Sequence, residues 1–258
     1  MKHQPYLDAR FFFSTSPLPC PYLPERMERR VVTELIGRKA AQMHDQLSDG
    51  GFRRSHSIAY APACPHCNAC VAVRVRADDF QPTRSQRRVW NRNRHLVVEE
   101  TEAIATTEQF NLFTEYQKHR HGDGDMSRMD IFDYQALIED TPVDTTVVEF
   151  RDTTGRLVAA CLTDRMQNGL SAVYSFFDPV LQRDSLGTFM ILWLIEQARQ
   201  SRLAYVYLGF WIAQSPKMAY KTQFRPLEIR TPEGWQPLGE SDQKDHSRDK
   251  TRAGLAAE

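Results

Sequence analysis

Residues 174–226 carry most of the architecture. Tyr174-Ser175-Phe176-Phe177-Asp178-Pro179 closes a strand that begins at Ser171 and turns at the Asp-Pro pair. A helix is predicted from Ser185 to Arg199. Its Leu186, Phe189, Met190, Ile191, Leu192, Trp193, Leu194 and Ile195 are apolar on nearly every side, as in a helix packed on a sheet and covered on most faces. Ala204-Tyr205-Val206-Tyr207-Leu208-Gly209-Phe210-Trp211-Ile212 then returns as a strand, rich in the aromatic and β-branched residues that strands favour. Next, Ser215 reads as an N-cap and Pro216 as the first position of a short helix. On an α-helix Lys217, Lys221 and Arg225 would share one face. No acid lies between Ala213 and Leu227 to neutralise them. A solvated basic face is one reading. Their place directly after an aromatic strand favours the other, an anion site beyond a strand tip, where open α/β sheets bind ligands.

Strands are also predicted over Thr145 to Phe150 and Leu157 to Asp164. Asp152-Thr153-Thr154-Gly155 and Gln167-Asn168-Gly169 are the turns, which makes an antiparallel run. Ile131 to Ile138 reads as a helix, as does Glu108 to His121, which ends in basic residues ahead of Gly122-Asp123-Gly124-Asp125-Met126. An acidic strand, Leu96 to Glu102, precedes them. Toward the N-terminus, Val71 to Arg76 alternates as a strand, Ser57 to Tyr60 is a short one, and a helix is expected from Glu25 to Leu47. Residues 14–24 contain four prolines and form an extended arm. The reading is a mixed α/β (α+β) chain with three parts. Residues 1–100 are a small basic domain holding cysteines, 101–240 the larger domain, and 241–258 a polar tail expected to be disordered.

The net charge of zero hides an asymmetry. Residues 1–98 hold 16 Lys and Arg against 8 Asp and Glu, which suggests a polyanion partner for that part. Within it, Arg84, Arg87, Arg88, Arg92 and Arg94 surround Trp90 with no acid among them. That pattern suits phosphates and a stacked base; a solvated helix face is the plainer alternative. The Phe11-Phe12-Phe13 run is far too short to span a membrane and no signal peptide precedes it, so a cytoplasmic protein is expected. Cys64, Cys67 and Cys70 stand at C-x2-C-x2-C spacing, suited to zinc or an iron–sulfur cluster held from a tight loop. Cys20 or His66 would supply the fourth ligand; reduced thiols packed in a core are the alternative. Cys161 reads as a core residue.

Three antiparallel strands, a crossover helix and a further strand resemble the GCN5-related acyltransferase fold. The pyrophosphate loop of acetyltransferases, R/Q-x-x-G-x-G/A, is degraded here to Gln182-Arg183-Asp184-Ser185-Leu186-Gly187, which argues against coenzyme A. Over about residues 5–238 the chain resembles instead the bacterial branch of the arginyl-tRNA–protein transferases, the aspartate/glutamate leucyltransferases. The N-terminal part of the resemblance is Cys20-Pro21-Tyr22-Leu23-Pro24, Cys64-x-x-Cys67-x-x-Cys70-x-x-x-Arg74 and Gln86-Arg87-Arg88. The middle part is Tyr116-x-x-x-Arg120-His121-x-x-Gly124-Asp125-Met126, Tyr174-x-Phe176-Phe177-Asp178-Pro179 and Ser185-Leu186-Gly187. Tyr207-Leu208-Gly209-Phe210-Trp211-Ile212 and Lys217-Met218-x-Tyr220-Lys221-x-x-Phe224-x-Pro226-x-Glu228 complete it.

The resemblance implies transfer of leucine from leucyl-tRNA to proteins beginning with Asp or Glu, marking them for degradation. Arginyl-tRNA as donor, an acyl-CoA-dependent N-acyltransferase, and a non-enzymatic RNA-binding metal protein are the alternatives. The reaction needs no cofactor. An aminoacyl ester is already activated, so alignment supplies much of the rate, about 7–11 kcal/mol. An α-amino group loses its proton near neutral pH at a cost of about 1.4 kcal/mol, so a weak base such as Asp178 or Asp125 suffices. An oxyanion donor is worth about 10²–10³ in rate; Tyr220 or a backbone N–H near Gly209 is the candidate. The acceptor's carboxylate needs a cation, Arg120 first and Arg74 second, and Lys217 and Lys221 would hold the RNA end. Tyr174 and Trp211 complete the expected substrate-binding set. Packing of Tyr174 and Tyr220, turn-capping by Asp178 and an Arg120–Asp123 pair are the competing structural roles.

Overall fold

The structure, a computed structural model, describes residues 11–120, 122 and 124–239, without the side chain of Asp125. The expected 241–258 tail lies outside the described residues, as do His121 and Asp123. The chain opens with β1 (Phe13–Ser14), β2 (Leu18–Pro19), β3 (Met27–Glu28), β4 (Arg30–Glu34) and α1 (Ala40–Asp49). The helix expected from Glu25 to Leu47 is thus corrected. Val31-Val32-Thr33 is β-branched and extended in β4, and helix begins after Gly37, whose φ is +75°. With β5 (Arg53–Ser55) and β6 (Ile58–Pro62), these strands form a small sheet ordered β1-β4-β6-β5, while β2 pairs with β3.

Next come β7 (Val71–Arg76), α2 (Arg84–Asn93), β8 (Val97–Glu102), α3 (Thr107–Arg120) and α4 (Ile131–Glu139). β9 (Thr145–Arg151), β10 (Leu157–Arg165), β11 (Gly169–Phe177), α5 (Leu186–Gln200) and β12 (Tyr205–Trp211) follow close to their expected places. The sequence reading leaves out β13 (Leu227–Thr231) and β14 (Gly234–Pro237). The large sheet runs β14-β13-β7-β12-β11-β10-β9-β8, so it takes β7 and β8 from the first hundred residues and crosses the expected boundary at 100.

Alternation along the strands makes this sheet a buried layer. Ala159 and Cys161 of β10 join the cluster that includes Phe189, Met190 and Leu194 of α5, with Trp90 of α2 against it. Ala160 and Leu162 join Phe113 of α3 and Tyr134 and Leu137 of α4. Helices thus cover both faces, which is why β10 is apolar without alternation from Leu157 to Leu162. Among the described residues no helix is long and apolar enough to cross a membrane.

Candidate active site

One strand pair in the large sheet is parallel, β11 with β12, and it is registered at three positions: Gly169↔Tyr205, Leu170↔Val206 and Ser171↔Tyr207. At the closed end a Cβ on Gly169 would lie 2.6 Å from the Tyr205 carbonyl oxygen, so glycine permits the close approach. Past Ser171 and Tyr207 both strands continue, but they no longer pair. The β7–β12 register slips between Tyr207 and Gly209, and Gly209 takes a φ of +73°. A bulge of this kind re-aims a strand, and here it leaves the carbonyls of β11 facing an opening.

Arg53 fills the opening. Its Nη2 donates to the Val173 carbonyl at 2.9 Å and reaches that of Ala172 at 3.4 Å, replacing partners that the next strand would supply. The guanidinium lies flat against Gly209, where a Cβ would fall 2.4 Å from Arg53 Cζ, and 6.0 Å from the centre of the Phe210 ring. Arg54 turns the other way, as the strand period demands, and grips Asp164 with Nε at 2.8 Å and Nη2 at 2.7 Å. Arg53 has no such acid among the described residues. It is a half-buried cation.

Tyr220 follows on the segment after β12, with its ring centre 5.9 Å from Lys221 Nζ. The residue is 42% exposed, and desolvation raises the pKa of its hydroxyl while the charges of Arg53 and Arg120 pull it down. From the helical side come Tyr116 and Arg120 of α3; the Arg120 charge acts on the Tyr116 hydroxyl, and its guanidinium lies 5.8 Å from the Phe177 ring centre. From the small sheet, Tyr60 packs edge-on to Phe210 at 6.0 Å. Beside the opening, His119, Leu181, Gln182 and Arg183 line an open groove of about 600 Å³ leading toward α2.

Several expected roles are corrected. Pro216–Gln223 is a 3₁₀ segment with three residues per turn, so Lys217, Lys221 and Arg225 do not line one face. Lys217 is exposed, Arg225 Nη1 donates to the Leu238 carbonyl, and Lys221 is buried with its amine donated to the Phe210 carbonyl. Burial, with the Arg53 charge nearby, pushes the Lys221 amine well below its ordinary pKa. It is a strut under the opening, not a phosphate grip. Ser215 makes no side-chain cap. Trp211 is 3% exposed and belongs to the core.

Arg74 is caged. Nε donates to Glu228 at 2.7 Å, Nη1 to Asp49 and the Tyr207 hydroxyl, and its guanidinium lies between the Tyr205 and Trp235 rings at 3.5 and 4.2 Å. With those partners it is not available to a substrate carboxylate. Asp178 accepts from Val180 N at 2.9 Å and Arg156 Nη1 at 2.7 Å, so the turn-capping role accounts for it. Tyr174 accepts from Gln117 Nε2 at 2.6 Å, and burial raises its pKa. Asp125 begins a 3₁₀ turn, Asp125–Arg128, beyond α3.

The four N-terminal cysteines draw together: burial, then the thiols of Cys20, Cys67 and Cys64, push Cys70 up to about 12. Arg26 Nη1 lies 3.2 Å from Cys67 Sγ, and the Arg29 backbone N–H donates to Cys64 Sγ at 3.4 Å. Yet among the described residues no three His, Cys, Asp or Glu side chains are arranged to hold a metal ion, and His66 is exposed. Cys20, Cys67 and Cys70 instead pack with Leu23, Ala69 and Ile212. On α2, Gln86 and Asn93 face inward, and the half-buried Trp90 packs on Phe189 with ring centres 5.5 Å apart. The five arginines are exposed and, among the described residues, none is ion-paired.

The sequence reading missed Arg53. Its signal was weak: one of two adjacent arginines on a three-residue strand.

Comparison with known proteins matches residues 18–88 to the family model described as "Arginine-tRNA-protein transferase, N terminus" and 108–231 to its C-terminal counterpart. A protein of Paramagnetospirillum magneticum named aspartate/glutamate leucyltransferase is 55% identical, over 94% of this chain and 99% of its own length. Proteins of the same name from Granulibacter bethesdensis and Rhodospirillum rubrum are each 51% identical, over 93% and 91% of this chain and 90% and 96% of theirs. Among solved structures, L-PGS from Bacillus licheniformis aligns at TM-score 0.44 with 12% identity, covering 69% of this chain and 52% of that one. With its two matched segments and half-identical relatives along nearly the full length, this chain belongs to the arginine-tRNA-protein transferase family of enzymes, on the branch of the aspartate/glutamate leucyltransferases.

Proposed function

We propose that this enzyme moves leucine from leucyl-tRNA to the α-amino group of proteins that begin with Asp or Glu, with a splayed acyltransferase-like sheet as the reaction site. The observation that carries the reading is the opening between β11 and β12, walled by Arg53, Tyr220, Tyr116 and Arg120. In the reaction the acceptor nitrogen attacks the ester carbonyl, the C–N bond forms, and the bond to the tRNA ribose oxygen breaks. The amine's proton leaves to water or a nearby carboxylate, and the ribose oxygen takes one up. On this reading the Tyr220 hydroxyl, protonated at neutral pH as any tyrosine is, donates to the carbonyl oxygen as it gains charge.

The exposed arginines of α2 face the donor's phosphates, and the groove along Gln182 and Arg183 carries its 3′ end toward the opening. Leucine as the transferred residue, and acidic N-termini as acceptors, follow the names of the relatives. The test is transfer of labelled leucine and arginine from their tRNAs to peptides starting with Asp, Glu, Lys and Ala. Leucine on the Asp and Glu peptides alone is the expected result. Arginine transfer would move the enzyme to the other donor, and no transfer from either would end the reading.

A further inference from the structure

Arg54 and Arg53 are neighbours with opposite fates. Arg54 is buried against Asp164, its charge matched. Arg53 reaches into the unpaired stretch of the large sheet, its Nη2 held by the Val173 and Ala172 carbonyls, with no acid to match it among the described residues. A half-buried guanidinium without a counter-charge is costly to keep unless something anionic completes it. Gly209 gives up its side chain so that this group can lie flat on the strand, and Phe210 sits beneath it. The position is therefore built around the arginine.

We infer that Arg53 is the specificity-determining residue for the acceptor: its free N–H groups bind the side-chain carboxylate of the N-terminal Asp or Glu inside the splay. This rests on the transfer reaction proposed above. A planar fork of donors suits a carboxylate in two-point contact, whereas Lys would offer a point charge. Arg120, the candidate from sequence, is exposed beside the Phe177 ring, where water weakens its power to discriminate charge. A donor phosphate fits Arg53 less well. The exposed α2 arginines already offer phosphate contacts, and a phosphodiester brings chain on both sides, whereas a terminal carboxylate enters end-on.

Kinetics of wild type, Arg53→Gln, Arg53→Lys and Arg120→Gln with saturating leucyl-tRNA test this, using peptides that start with Asp, Glu or Asn. Arg53→Gln should raise KM for the Asp and Glu peptides about 10- to 100-fold, leave the Asn peptide as poor an acceptor as it is for wild type, and keep leucyl-tRNA affinity within about twofold. Arg53→Lys should recover part of the loss, and Arg120→Gln should shift KM less than Arg53→Gln. Equal losses on Asp and Asn peptides, or a loss of donor affinity with acceptor KM intact, would overturn the assignment; the second outcome would give Arg53 to the RNA. Anisotropy of C-terminally labelled Asp and Asn peptides, without donor, separates the two readings. An Arg53-dependent preference for Asp in a protein that transfers nothing sinks the activity but keeps the site. Thermal melts of each variant confirm that the measured protein is folded, and Arg53→Lys serves if Arg53→Gln is not.

Discussion

Gly209 shows how one residue can hold a site open. Its φ of +73° lies in the left-handed region, and the Arg53 guanidinium occupies the space a side chain would need. Gly209→Ala should cost about 1–2 kcal/mol for the backbone alone, a fall of about 2–8 °C in Tm. The added methyl would also displace Arg53, so acceptor KM should rise as in Arg53→Gln; a melt and one titration of the Asp peptide check both. Cysteine chemistry makes a second prediction. Cys70 is pushed up to about 12 and the fully enclosed Cys161 to about 11, so both should resist alkylation by iodoacetamide at pH 7.5 while the fold is intact. Mass mapping after brief labelling reads this directly; fast modification of Cys70 would mean its thiol is not desolvated. From sequence the cysteine triplet was conspicuous and Arg53 was not. Spacing along a chain reports ligands that come from one loop. It carries no trace of an arginine on a short strand of one sheet that fills a gap between two strands of another. Arg74 misled in the opposite sense: a motif residue by position, it is consumed by Glu228, Asp49 and Tyr207.

Elements with an unbroken period were legible, and those whose period was ambiguous were not. β9, β10 and β11 follow from β-branched, apolar and aromatic runs set between turns, and α5 from an apolar run too long for a strand. The segment after β12 was read with a period of 3.6, which lines up Lys217, Lys221 and Arg225. Its actual period is 3, so the three part company and Lys221 turns inward to Phe210. Nothing in Pro216 to Gln223 distinguishes the two periods, because the choice is made by packing of Met218 and Phe224 against the core. The α2 face is the reverse case. Its Thr83 capping box and inward Gln86 and Asn93 fix a helix whose arginines must point outward. If those arginines meet donor phosphates, Arg87→Ala with Arg88→Ala should flatten the dependence of log affinity for leucyl-tRNA on log salt by about 0.7–0.9 for each phosphate no longer neutralised. Lys221→Ala should leave that slope unchanged and lower Tm instead, because it empties a buried position. Equal slopes for wild type and the arginine double variant would remove α2 from the RNA interface.

The two sheets hold their relative position through a buried charge cluster that sequence reading did not anticipate, and the active site depends on it because Arg53 and Arg54 share β5. Asp164 of β10 accepts from Arg54 Nε and Nη2 and from Thr145 Oγ1 at 2.8 Å, and His44 of α1 brings Nε2 to 3.4 Å without a hydrogen bond. The Arg54 side chain is 1% exposed and that of Asp164 is fully enclosed. Asp164→Asn would leave the guanidinium without its counter-charge, and a loss of about 3–5 kcal/mol follows, together with loss of transfer, since a shifted β5 carries Arg53 out of the splay. His44 adds a dependence on pH. Burial lowers its pKa; Asp164 pulls it up, Arg54 pushes it down, and Asp45 pulls it up, with burial prevailing. The folded state therefore binds a proton at His44 less readily than the unfolded chain, whose imidazole titrates near about 6.5. Its contribution to stability is complete above that value and is lost as pH falls toward the lowered folded pKa. Carboxylates titrate nearer about 4, so urea midpoints between pH 7.5 and 5 should be level at the upper end and decline below about 6.5. His44→Leu should flatten that decline. If the variant keeps the same slope, the proton is taken up elsewhere and His44 does not couple the two sheets to pH.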